Sequence, residues 1–334
     1  MTVAETIANR ATRLPRERRE KERPIVTPPA PYTKADLSGL KPKHATFVGI
    51  DSDGCVFPTM EIKQKQCFHS LIISNWRLEP IEKYVREVAE FVNLHSIHRG
   101  QNRFLSLLKA FELLAERPEA RAAGIPLPAT ASLRKFIESG VPLGNPELKR
   151  IVAETDDPEL AAVLKWSEDV NRLVARTVGS VPPFRWVRES LDAIRRNSDA
   201  ICVSQTPTEA LVREWQDNGM MDCVSIIAGQ ELGTKAEHLR LATQGRYAPD
   251  RVLMIGDAPG DLKAARQVGA RFFPINPGKE EASWEFFLNK AYQRFLDNAY
   301  TDEYETTLVR QFETLLPTTP PWKAAQEIRR RNDK

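Results

Sequence analysis

The chain has 334 residues, 41% of them hydrophobic and 28% charged, with a net charge of +3. These proportions are those of an ordinary globular protein and exclude disordered and collagen-like classes, while no apolar run approaches the roughly 18 to 20 residues of a membrane span. The four cysteines, Cys55, Cys67, Cys202 and Cys223, form no CxxC pair, so reduced, mostly buried thiols are expected rather than disulfides or a zinc site.

A single core stops growing near about 250 to 300 residues, so one core with one inserted domain is the expected organisation. Residues 1–43 hold ten Lys and Arg against five Asp and Glu and carry Pro24, Pro28, Pro29 and Pro31. They predict a basic, extended arm. The arm has no apolar leader, and most such basic tails are simply solvated, so a cytoplasmic protein is expected, with no membrane partner and with nucleic acid an unlikely one. Phe47, Val48 and Ile50 then run into Asp51-Ser52-Asp53-Gly54, the pattern of a buried strand with polar residues at its carboxyl end.

Residues 61–179 read differently. Phe104, Leu107, Leu108, Phe111 and Leu114, and later Leu160, Val163, Leu164, Val170, Leu173 and Val174, repeat at three and four, which predicts an all-helical insertion. Gly and Pro between Gly124 and Pro146 predict a long, exposed connection within it. From residue 180 to 278 strands alternate with helices: Ala200–Val203, Val224–Ala228, Val252–Ile255 and Arg271–Ile275 read as strands. Such alternation implies a parallel, Rossmann-like α/β sheet with helices on both faces, its core formed by 44–60 and 180–278. Residues 279–334 are helical and aromatic, expected to pack on the core or on a second copy in a homo-oligomer.

The chemistry-bearing residues fall at strand ends, where an open α/β sheet binds its ligands. Asp51 and Asp53 are two apart, so in a strand both carboxylates face one side; a plain turn is the alternative. Gly256-Asp257-Ala258-Pro259-Gly260-Asp261 follows a second apolar strand and opens a helix, where an ordinary N-terminal acid is the lesser alternative for Asp261. Converging carboxylates with little counter-charge make an oxygen-only site suited to Mg²⁺. Lys235, at a helix start, could hold a phosphoryl group against an aspartate, although alone it reads as a surface lysine. Ser204, ending a strand, offers a hydroxyl donor or a helix cap.

In order and spacing these four motifs resemble the haloacid dehalogenase superfamily of phosphohydrolases, over about 100 residues of core. The resemblance implies that Asp51 is a nucleophile forming an aspartyl phosphate and that Asp53 is the acid and then the base. It further implies that Ser204 and Lys235 bind the phosphoryl group, and that Mg²⁺ is held by Asp51, the Asp53 carbonyl and Asp257, with Asp261 assisting. Because Asp53 is present, phosphate-ester chemistry is implied rather than cleavage of carbon–halogen or carbon–phosphorus bonds. With the insertion between the first and second motifs, and Ser204 and Lys235 only 31 residues apart, the chain looks like the helical-cap subgroup, similar to phosphoglycolate phosphatase and β-phosphoglucomutase. Two departures are Cys55, where the subgroup has Thr, and Pro58, near a usual acidic residue.

In that subgroup the cap supplies specificity. His98, Arg99, Asn102 and Arg103, in a donor-rich stretch around Gly100, are the candidates for gripping a small phosphorylated metabolite. Lys63, Lys65 and His69 are further ones, and Trp76 is expected in the core. A phosphatase is the leading expectation, with a phosphosugar mutase or a non-catalytic binding protein of the same fold as alternatives.

Overall fold

Near-continuous apolar runs form the strands of the computed structural model, which describes residues 32–323; most of the expected basic arm (1–31) and the last residues (324–334) lie outside the described residues. The strands are β1 (Phe47–Ile50), β2 (Asp199–Val203), β3 (Ile227–Ala228), β4 (Val252–Gly256) and β5 (Arg271–Pro274). All are parallel, in the order β3-β2-β1-β4-β5. Alternate residues feed two separate clusters: Val48, Ile50, Cys202, Leu253, Ile255 and Phe273 on one face, and Phe47, Ile201, Val203, Met254 and Phe272 on the other. Burial on both faces is why these strands read as apolar runs rather than as alternations.

Ile50 pairs in register with Cys202 on one side and with Ile255 on the other. The residues just past β1, β2 and β4, namely Asp51, Ser204 and Asp257, therefore lie at one edge. The chain runs outward from β1 through β2 to β3, then returns to β4 and β5 on the other side. This reversal is where open α/β sheets place ligands.

The fold is thus an α/β parallel sheet carrying an all-helical insertion. From Thr59 to Thr177 every regular element is helical, and these helices bury their own cluster around Phe104, Phe111, Phe136 and Trp166. The stretch between Gly124 and Pro146 departs from the exposed connection expected: it contains a helix, Ala131–Glu138, whose Leu133 and Phe136 are buried. A second departure lies at residues 33–40, expected to be extended. Thr33 and Asp36 form a capping box that starts the helix Lys34–Gly39, and Leu37 is fully buried against the sheet cluster. The prolines upstream conceal this start signal.

All four cysteines are buried and unpaired, and Trp76 packs edge-on against Phe111 at 4.9 Å. The carboxyl-terminal helices pack on the core, with Trp284, Phe287, Tyr292 and Phe295 joining the cluster around Ile50. Trp284 is fully buried and donates from Nε1 to the Cys55 carbonyl at 2.8 Å. Trp284→Ala should cost about 3 to 5 kcal/mol in urea unfolding; a loss under about 1 kcal/mol would contradict this packing. Beyond Leu316, Trp322 reaches back to the insertion, 5.6 Å from Phe91 and 4.6 Å from the Arg117 guanidinium.

Candidate active site

Asp51 follows β1 directly, and its N–H donates to the Ile255 carbonyl at 3.0 Å, which fixes it between β1 and β4. Lys235 is the first residue of the helix Lys235–Thr243, started by a capping box in which Glu237 accepts the Thr234 N–H at 2.7 Å and Thr234 Oγ1 accepts the Glu237 N–H at 3.2 Å. From there its ammonium reaches Asp51 Oδ1 at 3.0 Å and Asp261 Oδ1 at 2.6 Å. Asp261 is fully buried and also accepts the Ala258 N–H at 3.0 Å through Oδ2. It is both the helix-starting acid and a member of the charged cluster.

Asp51, Asp257 and Asp261 are all buried, and each has an oxygen within 4.8 Å of the others, close enough to hold one metal ion. Asp257 Oδ2 accepts from Arg99 Nη2 at 2.5 Å and Nε at 2.8 Å, whereas Asp257 Oδ1 is buried with no hydrogen-bond partner among the described residues. Three carboxylates thus face two cations, Lys235 and Arg99. Burial, then Asp261 and Asp257, push the Asp51 carboxyl well above its ordinary value against the pull of Lys235. Burial likewise raises Asp257 despite Arg99. Crowded carboxylates and an open buried oxygen are what a hard cation relieves.

Asp53 has partners of its own, Thr59 and Thr206 from the core and Lys63 from the insertion. Lys63 Nζ lies 2.5 and 2.7 Å from its two oxygens, Thr206 Oγ1 donates to Oδ2 at 2.6 Å, and Thr59 Oγ1 donates to Oδ1. Burial opposes ionisation, but these partners, Lys63 first, hold the Asp53 carboxyl below its ordinary value. Ser204 is buried at the end of β2, where its Oγ accepts the Thr206 N–H at 3.2 Å; its O–H remains a donor.

The insertion residues expected at a substrate are deployed differently. Arg99 is buried on Asp257. Asn102 caps the helix Arg103–Glu116 by accepting the Phe104 N–H at 2.9 Å, and Arg103 donates to Asn171 at 2.7 Å within the insertion. His98 is partly buried, its N–H donating to Ser96 Oγ at 3.1 Å. None of these contacts is to the Asp51 side chain. A cavity of about 430 Å³ lined by Tyr32, Leu40, Phe47, Asp199 and Tyr247 lies at the opposite, amino-terminal end of the strands.

Sequence reading gave little weight to Lys63 and none to Thr206 or Glu214. The Glu214 carboxyl, 3.4 Å from Ser52 Oγ, is pushed up to about 8 by burial and then by Asp53. A carboxyl raised in this way stabilises the fold most below its unfolded value of about 4.3, and that contribution fades as pH climbs toward its folded value. Glu214→Gln should therefore raise stability in urea unfolding at pH 8 and change it little at pH 4.5; an equal effect at both would contradict the assignment.

No protein-family model and no curated protein matches the chain. Among solved structures it is similar to a haloacid dehalogenase-like hydrolase from Streptococcus pneumoniae, at 16% identity and TM-score 0.38, over 72% of this chain and 90% of that one. It is similar also to a protein described as a predicted phosphoglycolate phosphatase from Haemophilus somnus (13%, TM-score 0.42, 69% and 84% covered). A third, provisionally described as a β-phosphoglucomutase from Thermotoga maritima, matches at 14% and TM-score 0.36, with 74% and 99% covered. Among the described residues no helix is long and apolar enough to cross a membrane.

Proposed function

We propose that the chain is a Mg²⁺-dependent phosphatase of the haloacid dehalogenase type that hydrolyses a small phosphorylated metabolite through an aspartyl phosphate at Asp51. The observation that carries the reading is the buried trio of Asp51 and Asp257, past adjoining strand ends, and Asp261, in the helix that follows, beside Lys235 and with one Asp257 oxygen left open. The oxygen-only donor set fits Mg²⁺, which Asp51, Asp257 and the Asp53 carbonyl would hold with Asp261 assisting. When bound, the ion supplies positive charge that offsets the phosphoryl oxygens.

Asp51 attacks phosphorus, and the bond to the ester oxygen breaks. Lys235 and the Ser204 hydroxyl hold the phosphoryl oxygens, so charge developing in transfer meets donors already in place. Asp53 gives a proton to the departing oxygen and then takes one from the water that cleaves the acyl phosphate. Because Lys63 holds Asp53 ionised, displacement of this insertion residue frees Asp53 to carry that proton. In this reading residues 61–179 act as a cap over a core of 44–60 and 180–278, with 279–334 as an extension.

A panel of phosphate esters, assayed for phosphate release with Mg²⁺ and with EDTA, tests the proposal. Release that EDTA stops supports it. Turnover of a sugar monophosphate without phosphate release would make the chain a mutase, and no turnover of any ester would leave a binding protein.

A further inference from the structure

Arg99 belongs to the insertion, yet its side chain is 4% exposed and its guanidinium lies among core groups. It donates twice to Asp257 Oδ2, once to the Asp257 carbonyl at 3.1 Å, and through Nη1 to the Leu94 carbonyl at 3.0 Å. The backbone on both sides makes room for it. Gly54, at φ +81°, lies so close that a Cβ there would sit 2.5 Å from Asp257 Oδ2 and 2.8 Å from Arg99 Nη2. Gly100, at φ +71°, lets the insertion approach so closely that its Cβ would meet that of Ala258 at 2.6 Å. Both conformations favour glycine, so the contact is built from both sides.

The bonds are distributed unevenly over one carboxylate. Oδ2 takes both guanidinium donors, and Oδ1, equally buried, takes none. A planar fork anchored at its far nitrogen fixes the rotation of the carboxylate it grips, and a carboxylate held by an outer partner presents its other oxygen in a set direction. We infer that Arg99 is a positioning residue for the cation site: by holding Asp257 Oδ2 it aims Oδ1 at the space shared with Asp51 and Asp261, so the insertion, rather than the core alone, completes the site. This rests on the metal reading above. Its consequence is that cation affinity depends on the insertion being docked.

The test compares proteins of equal charge, because removing a positive charge would by itself strengthen cation binding. Arg99→Lys keeps the charge and loses the fork. Gly100→Ala alters no charged group and pushes the insertion off Ala258. Calorimetric titration of Mg²⁺ into each full-length protein should show affinity about 10 to 100-fold weaker than in the wild type. The Mg²⁺ concentration giving half-maximal phosphatase rate should rise by a similar factor, with saturating Mg²⁺ restoring the rate, a rescue that a folding defect would not show. Wild-type affinity in both variants overturns the inference and leaves the metal reading standing. No Mg²⁺ binding by the wild type overturns both.

Discussion

Asp51→Asn should lower phosphate release by at least about 10⁴-fold, the scale on which removal of a nucleophile acts when the rest of its machinery survives. The exchange is nearly isosteric. Asn keeps an oxygen for the Lys235 ammonium, 3.0 Å from Asp51 Oδ1, and keeps the backbone bond to Ile255, but it cannot form the acyl phosphate. Stability should move the other way. Burial, together with Asp261 and Asp257, makes the ionised Asp51 costly, so a neutral amide relieves repulsion in the metal-free protein. Because the folded Asp51 carboxyl lies above its unfolded value, that relief should be larger at pH 7 than at pH 4. Urea unfolding in EDTA should show Asp51→Asn at least as stable as the wild type at pH 7. Activity within a hundredfold of wild type would remove Asp51 as nucleophile.

What was legible in the sequence followed from contiguity. A buried parallel strand is an apolar run, and the residue after it lies at the ligand edge whatever the rest of the chain does. Asp51, Ser204 and Asp257 could therefore be placed together from local patterns alone, and the register of β1 with β2 and β4 sets them there. Lys235 and Asp261 were legible because a capping box and a helix-opening acid mark where helices start. The insertion announced itself by periodicity.

What stayed hidden is contact between segments that share no local pattern. Lys63 on Asp53 and Arg99 on Asp257 join insertion to core. Nothing in the spacing of 158 residues between Arg99 and Asp257 announces a pair. Arginines in a donor-rich turn read as substrate ligands because free guanidinium groups usually seek anions; Arg99 meets an anion of the chain's own, and Arg103 meets the amide of Asn171. Local secondary structure is hidden where one strong signal masks another. Prolines obscured the capped helix at Lys34–Gly39, and the Gly and Pro residues around it obscured Ala131–Glu138, although Leu133 and Phe136 have helical spacing.

Lys235→Met should cost about 3 to 5 kcal/mol of stability near neutral pH and abolish phosphate release. Burial alone would push this ammonium down; Asp261 and Asp51 outweigh burial and hold it above the ordinary lysine value. The side chain is 15% exposed and Asp261 is fully enclosed, so solvent does little to replace a lost partner. Methionine preserves most of the length and removes the charge, leaving three carboxylates facing Arg99 alone. The protonated forms of Asp51 and Asp257, both of which Lys235 holds down in the wild type, then become more favoured in the folded state, and a folded carboxyl raised in this way loses its stabilising contribution as pH rises. The deficit relative to wild type should accordingly be small at pH 4 and large at pH 8. A divalent cation can take over part of the missing counter-charge, so millimolar Mg²⁺ should recover some stability in Lys235→Met without recovering turnover, since the phosphoryl group still lacks its ammonium. A deficit independent of both pH and Mg²⁺ would mean that Lys235 merely fills space, and that the carboxylates around it do not act as one charged site.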